Sequence, residues 1–222
     1  MSGGFPPVRR VLPDDVRHLS ASLARAFVDD PVSSYIFAAQ PSRRRRLERY
    51  FAFQLRAVFL QVGEAYATGD LAAGALWIPP RQHRPPTFGQ AVAQLPIVLV
   101  LGSALVRGTR LVGLLERHHP RSAHYYLATI GTDPSSQGAG RGSALMSEVL
   151  KRCDAQSIPS YLESSKESNV SFYERHGYEV IEEVTLEGTQ LRLWLMWREP
   201  DPRRSEPDPR RPEPDPRRPE PR

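Results

Sequence analysis

The chain has 222 residues, 40% of them hydrophobic, a net charge of +5 at neutral pH and a single cysteine. That much apolar side chain can fill one sizeable core, while a lone Cys153 excludes an intramolecular disulfide framework and a cysteine-based metal cluster. No apolar run is long enough to span a bilayer, residues 1–20 carry Arg9, Arg10, Asp14, Asp15 and Arg17 in place of an apolar signal region, and no basic–aromatic interleaving points to nucleic acid, so a cytoplasmic protein is expected, with no membrane and no nucleic-acid partner.

In chain order, Val8 to Leu12 reads as a first strand. Pro13-Asp14-Asp15 reads as the start of a helix running to about Val28, with Leu19, Leu23, Ala26 and Phe27 on one face. Asp29-Asp30-Pro31 stops it, because a proline disfavours helix in the residue before it. A second helix, from about Ser42 to Val62, places Leu47, Phe51, Leu55, Val58 and Val62 at three- and four-residue spacing. Its opening run, Arg43 to Arg46, sits at the wrong end for the helix dipole and reads as a solvated face. Glu64 to Thr68 and Ala72 to Ile78 are strands about the Gly69-Asp70 hairpin signal. Pro85 to Arg117 reads as one or two helices, with the apolar run Ala91 to Val106 as core or pocket wall.

Tyr125 to Ile130 is a buried strand without a breaker, and Asp133-Pro134-Ser135-Ser136 is turn chemistry. Gln137 to Ser143, dense in glycine, then precedes an apolar stripe of helical spacing at Leu145, Met146, Val149, Leu150 and Cys153. Ile158 to Glu163 is a short strand. Ser168 or Asn169 caps a short helix through Arg175, and Gly177 suits its left-handed end. Tyr178 to Leu186 and Gln190 to Trp197 form a closing hairpin. From Glu199 a heptad of Glu-Pro-Asp-Pro-Arg-Arg-Ser/Pro repeats, too rich in proline to pack, so residues 1–198 are expected to be one domain and 199–222 an extended, disordered tail.

Glycines ahead of a helix expose backbone N–H groups at its positive end, a site for phosphate or pyrophosphate. A P-loop would require a Gly-Lys-Ser/Thr ending that is missing. A dinucleotide fingerprint would follow its strand directly, whereas Thr132 to Gln137 intervene here, and too little chain remains after Glu163 for further βαβ units. The remaining reading fits. Gln137-Gly138-Ala139-Gly140-Arg141-Gly142-Ser143 resembles the Gln/Arg-x-x-Gly-x-Gly/Ala signature of the Gcn5-related N-acetyltransferases (GNAT). Asn169-Val170-Ser171-Phe172-Tyr173, followed by Gly177-Tyr178, resembles the second half of that signature. The closest pattern is that of puromycin N-acetyltransferase-like drug acetyltransferases, carried by Leu127 to Gly131, Tyr161 to Ser165 and Phe172 to Gly177. Ala24 to Phe27 followed by Pro31 is a fainter match.

The resemblance implies an α+β, three-layer fold with a central mixed, largely antiparallel twisted sheet and helices on both faces. It implies an acyltransferase using acetyl-CoA as co-substrate, with a small-molecule amine as acceptor and no metal. Transfer to a protein lysine or N-terminus, or a non-catalytic acyl-CoA-binding module, are the alternatives. Cofactor contacts are expected from Ile130, Gly131, Thr132, Gln137, Gly138, Ala139, Gly140, Arg141, Gly142, Ser143 and Asn169, with Arg141 adding charge. Tyr173 is expected as general acid, since a phenol of pKa about 10 stays protonated at neutral pH. Glu163, at the end of its strand, is expected as general base, or as a structural acceptor. Phe27 and Asp30 are expected at the acceptor. His124 and His176 are expected to be exposed, and Cys153 to lie in the core.

Overall fold

The computed structural model describes residues 5–38, 40–80, 104–201 and 203. The sequence expectations for 85–103, and for the repeat tail from 204 onward, lie outside the described residues. Alternating side chains close the strands into one seven-stranded sheet. β1 (Val8–Arg10), β2 (Glu64–Thr68), β3 (Ala73–Ile78) and β4 (Tyr125–Thr132) are antiparallel neighbours in that order. Beside β4 come β5 (Ser160–Ser164), β7 (Arg192–Arg198) and, at the edge, β6 (Glu179–Thr185). Only the β4–β5 pair is parallel, so the sheet is mixed and largely antiparallel, as expected.

Helices cover both faces. On one side lie α1 (Val16–Ala26), α2 (Pro31–Ile36), α3 (Gln40–Gln54, continued by a π-helical turn, Leu55–Phe59) and α4 (Leu105–His118). Leu19, Leu23, Leu47 and Phe51 bury against Ala65, Ala67 and Leu76 there, and Leu111 and Leu114 pack under Leu193 and Leu195. On the other side α5 (Arg141–Ala155) sets Leu145, Met146, Val149, Leu150 and Cys153 against Trp77, Leu127, Leu162 and Met196. Consecutive β7 residues therefore serve opposite faces, the period-2 pattern of a sheet buried on both sides. Cys153 is a core residue, its thiol pushed up to about 12 by burial. A last short helix, α6 (Val170–Glu174), follows a single 3-10 turn, Glu167–Asn169.

Three local expectations are corrected. Pro31 does not only stop α1: it opens α2 at the first helical position, where its missing N–H is no loss, and Asp30 caps that helix by accepting from Ser33 N at 3.1 Å. Arg43 is not on a solvated face. It is buried and donates to the carbonyls of Phe37 (2.8 Å) and Val28 (3.0 Å), so its charge closes the α1–α2–α3 corner. Asn169 stands at the N-cap of α6, but its side chain makes no capping bond.

Candidate active site

The site begins with a fault in the sheet. The β3–β4 register shifts between Leu76 and Trp77, which face Thr129 and Leu127 and leave Ala128 as an extra residue on β4. Such a bulge bends its strand. The parallel β4–β5 ladder pairs only Tyr125–Leu127 with Ser160–Leu162, although both strands run on. Beyond that point they part, and the far half of β4 presents an open backbone edge.

A cleft of about 640 Å³ occupies the opening. Ile130, Gly131 and Thr132 line one side, and Gln137, Gly138, Gly140, Arg141, Gly142 and Ser143 line the mouth; Ala139 is the one expected loop residue that does not. Asn169 and Tyr173 line the opposite wall, joined by Lys166 and Arg175, two cations to which the sequence reading gave no site role. Gly138 and Gly140 have φ of +80° and +81°, a conformation other residues adopt only with strain. Gly140 is the N-cap of α5 and brings no capping side chain, so the N–H groups of Arg141, Gly142 and Ser143 have no intrahelical acceptor and face the cleft. Unpaired N–H groups at a helix N-terminus suit a pyrophosphate, so the residues present fit acetyl-CoA. Gly131 is required for a different reason: a Cβ there would lie 2.7 Å from the Phe27 ring and 3.2 Å from Ala26, closing the contact between α1 and β4.

Arg141 lines the cleft, yet its guanidinium is already paired. It donates to Asp70 (2.8 Å) and to the Ser136 carbonyl (3.1 Å) and lies over the Phe5 ring. Burial alone would raise the Asp70 carboxyl, but bonds from Thr68, Arg141 and the Ala72 N–H outweigh it and hold the pKa at about 2. Arg141 thus braces the glycine loop against the β2–β3 hairpin. Tyr173 is buried. Burial first, and the charge of Asp30 second, push its phenol above its ordinary value. A hydroxyl so placed keeps its proton at neutral pH and is available as a donor.

A second cavity of about 230 Å³ adjoins the first, and Phe27 and Asp30 line both. Its other walls are mainly apolar: Ile36 from α2, Phe51 from α3, Leu111, Val112 and Leu115 from α4, and Ala128 from β4. Asp30 and Glu163 are its charged residues among those described. Asp30 is fixed by Ser33 N and by a short bond from the Ser165 hydroxyl. Glu163 accepts from the Tyr126 hydroxyl at 2.7 Å, a hydroxyl kept protonated by burial and by the Glu163 charge. The expected residues thus fall into two groups, Tyr173 with the glycine loop and Glu163 in the apolar cavity, bridged by Phe27 and Asp30.

Contrary to the sequence expectation, His124 is not exposed. It is buried, its Nδ1 lies 2.6 Å from the Ser122 carbonyl, and burial disfavours its charged form. It belongs to an aromatic cluster with Tyr126, Tyr161, Trp197 and His119, the last at the end of α4 and missed by sequence reasoning. His176 is half-buried, with Nδ1 2.8 Å from the Phe172 carbonyl.

A split sheet with a glycine cradle at its mouth is the arrangement of an acyl-CoA-dependent acyltransferase. Residues 101–196 match the family model described as the acetyltransferase (GNAT) domain. An uncharacterised N-acetyltransferase of Schizosaccharomyces pombe is 25% identical over 209 residues, which cover 87% of this chain and 83% of that protein. A solved structure from Corynebacterium glutamicum, described as histone acetyltransferase HPA2 and related acetyltransferase, superposes with a TM-score of 0.68 at 24% identity, over 88% of this chain and 97% of that one. A GNAT-superfamily phosphinothricin acetyltransferase from Sinorhizobium meliloti, solved with AcCoA, gives 0.52 at 17% identity, over 87% and 88%. Residues 101–196 thus carry a GNAT acetyltransferase domain, whose co-substrate is acetyl-CoA. Within the described residues no helix is long and apolar enough to cross a membrane.

Proposed function

We propose that the enzyme moves an acetyl group directly from acetyl-CoA to the primary amine of a compact small molecule with an apolar body, a class that includes antibiotic-like amines. The observation carrying this reading is the apolar cavity of about 230 Å³ that meets the cofactor cleft at Phe27 and Asp30. Its volume and largely hydrocarbon walls suit one small organic body, and its carboxylates suit a single cationic end.

The division of labour follows from position. The N–H groups of Arg141, Gly142 and Ser143, with the turn at Gly138, hold the pyrophosphate, and Lys166 and Arg175 meet the remaining phosphate charge. Backbone groups of Ile130 and Thr132 hold the pantetheine arm along the open edge of β4. A backbone N–H near Gly131–Thr132 polarises the acetyl carbonyl, a contribution commonly worth about 3–4 kcal/mol. Gln137, whose amide donates to the Thr132 carbonyl at 3.2 Å, stiffens the loop, and Asn169 closes the far wall beside Tyr173. Asp30 draws the ammonium to the junction of the two cavities. Glu163 takes a proton from the amine, and Tyr173 gives one to the departing thiolate.

Thiol release from acetyl-CoA, followed across arylalkyl and alkyl amines, puromycin and lysine-containing peptides, tests this reading. The expected result is a kcat/KM highest on compact apolar amines. Turnover confined to the peptides would overturn it in favour of protein acetylation.

A further inference from the structure

Acetylation of an ammonium has a proton left over. R–NH₃⁺ and an acetyl thioester give R–NH–CO–CH₃, a thiol and one H⁺: a C–N bond forms, a C–S bond breaks, and two N–H protons leave nitrogen. One ends on sulfur. The other, taken up by a base inside a largely apolar cavity, has to reach water before the next turnover.

Glu163 cannot release it directly, because its side chain is only 7% exposed. Tyr126 fixes one carboxylate oxygen, Oε2, at 2.7 Å. The other, Oε1, makes no hydrogen bond of ordinary geometry among the described residues, although the Tyr161 hydroxyl faces the same carboxylate, and His119 Nδ1 lies 3.7 Å from it. His119 is 33% exposed, so its ring connects the buried carboxylate with solvent. The ring is held in place: it stands nearly perpendicular to Tyr126 and Tyr161, with centroids 5.0 and 5.1 Å away, and lies 5.0 Å from His124.

We propose that His119 is the proton exit of this active site, accepting the proton from Glu163 Oε1 and passing it to water. The inference rests on the reading of Glu163 as base. The step makes and breaks only N–H and O–H bonds, and a slight ring movement closes the 3.7 Å to hydrogen-bond distance. Every other titratable group facing His119 is unsuited to the task. Tyr126 from β4 and Tyr161 from β5 are held protonated, first by burial and then by the Glu163 charge. His124, ahead of β4, has Nδ1 engaged with the Ser122 carbonyl, and burial disfavours its cation. Next along the chain, His118 pairs with Glu182 of β6 at 2.9 Å, away from Glu163. His119 acts through Glu163 and touches no reacting atom, so it is a positioning residue for the proton.

The test is steady-state thiol release by the full-length chain in dilute, non-transferring buffer. His119→Ala and His119→Gln are expected to lower kcat about tenfold with KM for both substrates little changed. Added imidazole is expected to restore kcat in His119→Ala while leaving the wild type unaffected. A purely structural ring would not be replaced by imidazole in solution, so loss without rescue in both variants overturns the relay. Unchanged kcat in dilute buffer overturns it as well. Wild-type turnover that survives Glu163→Gln removes the base reading, and the relay with it, whereas turnover lost in Glu163→Gln but indifferent to His119 overturns the relay alone.

Discussion

Tyr173→Phe is expected to lower kcat about 10²-fold while acetyl-CoA binds as tightly as before. The substitution removes one oxygen and keeps the ring that packs with Phe172 (5.2 Å between centroids) and Tyr178 (6.2 Å), so the wall of the cleft survives. What is lost is a proton donor at the cofactor cleft. Burial and the nearby Asp30 carboxylate push the phenol in one direction, toward the protonated form, so the wild-type hydroxyl is charged with its proton throughout the neutral range. Without it the thiolate leaves unprotonated, and the barrier rises by the whole of that assistance. Steady-state thiol release paired with calorimetric titration of acetyl-CoA separates the two effects. Equal losses of turnover and of acetyl-CoA affinity would make Tyr173 a binding residue, and unchanged turnover would remove it from the acid role.

Glu163→Gln is expected to be as severe, again about 10²-fold in kcat, with acetyl-CoA affinity intact. Glutamine keeps the shape of the side chain and its carbonyl can still accept from the Tyr126 hydroxyl, so the aromatic cluster is preserved while basicity is removed. Because Glu163 lines the apolar cavity and not the cofactor cleft, a change confined to the acceptor half of the kinetics is the signature to look for. His119→Ala made in the Glu163→Gln background should add almost nothing, since residues acting in one chain of proton transfer are not additive. Full additivity of the two losses, read from the same thiol-release assay, would place them in separate roles.

Much of the frame was legible because its signals are local. Strand period, the Gly69-Asp70 turn and the breaker-free run from Tyr125 each depend on neighbouring residues, and Gly138 and Gly140 announce positive φ by being glycine. The glycine loop of the cofactor cleft is a short run, Gln137 to Ser143, which is why it could be read residue by residue, all but Ala139 lining the cleft. The acceptor half is no such run. Its walls come from α1 to α4 and from β4, and each wall residue, Phe51 or Leu111 for example, has the spacing of ordinary core. Nothing in the Ala128 neighbourhood encodes the bulge, which arises from the register against β3. Pro31 carries the same signal whether it ends one helix or begins the next, and only the Asp30 cap distinguishes the two. Arg43 looked solvated because a run of arginines usually is; two backbone carbonyls at the α1–α2–α3 corner make it the exception. His119 reaches Glu163 across a long stretch of chain, a contact no local pattern records.

In the proposed arrangement acetyl-CoA and the acceptor occupy two adjoining cavities of distinct chemistry. Val112, on α4, lines the apolar cavity and not the cofactor cleft, so Val112→Phe fills one while sparing the other. The decisive measurement is kcat/KM for a compact apolar amine, taken together with the dissociation constant for acetyl-CoA, in this variant and the wild type. A fall of about tenfold or more in the former with the latter unchanged is the expected result, since even a single methylene in an acceptor pocket is worth about tenfold and a ring is larger. Amine kinetics indifferent to the added ring, or a loss of acetyl-CoA affinity in their place, would contradict the assignment.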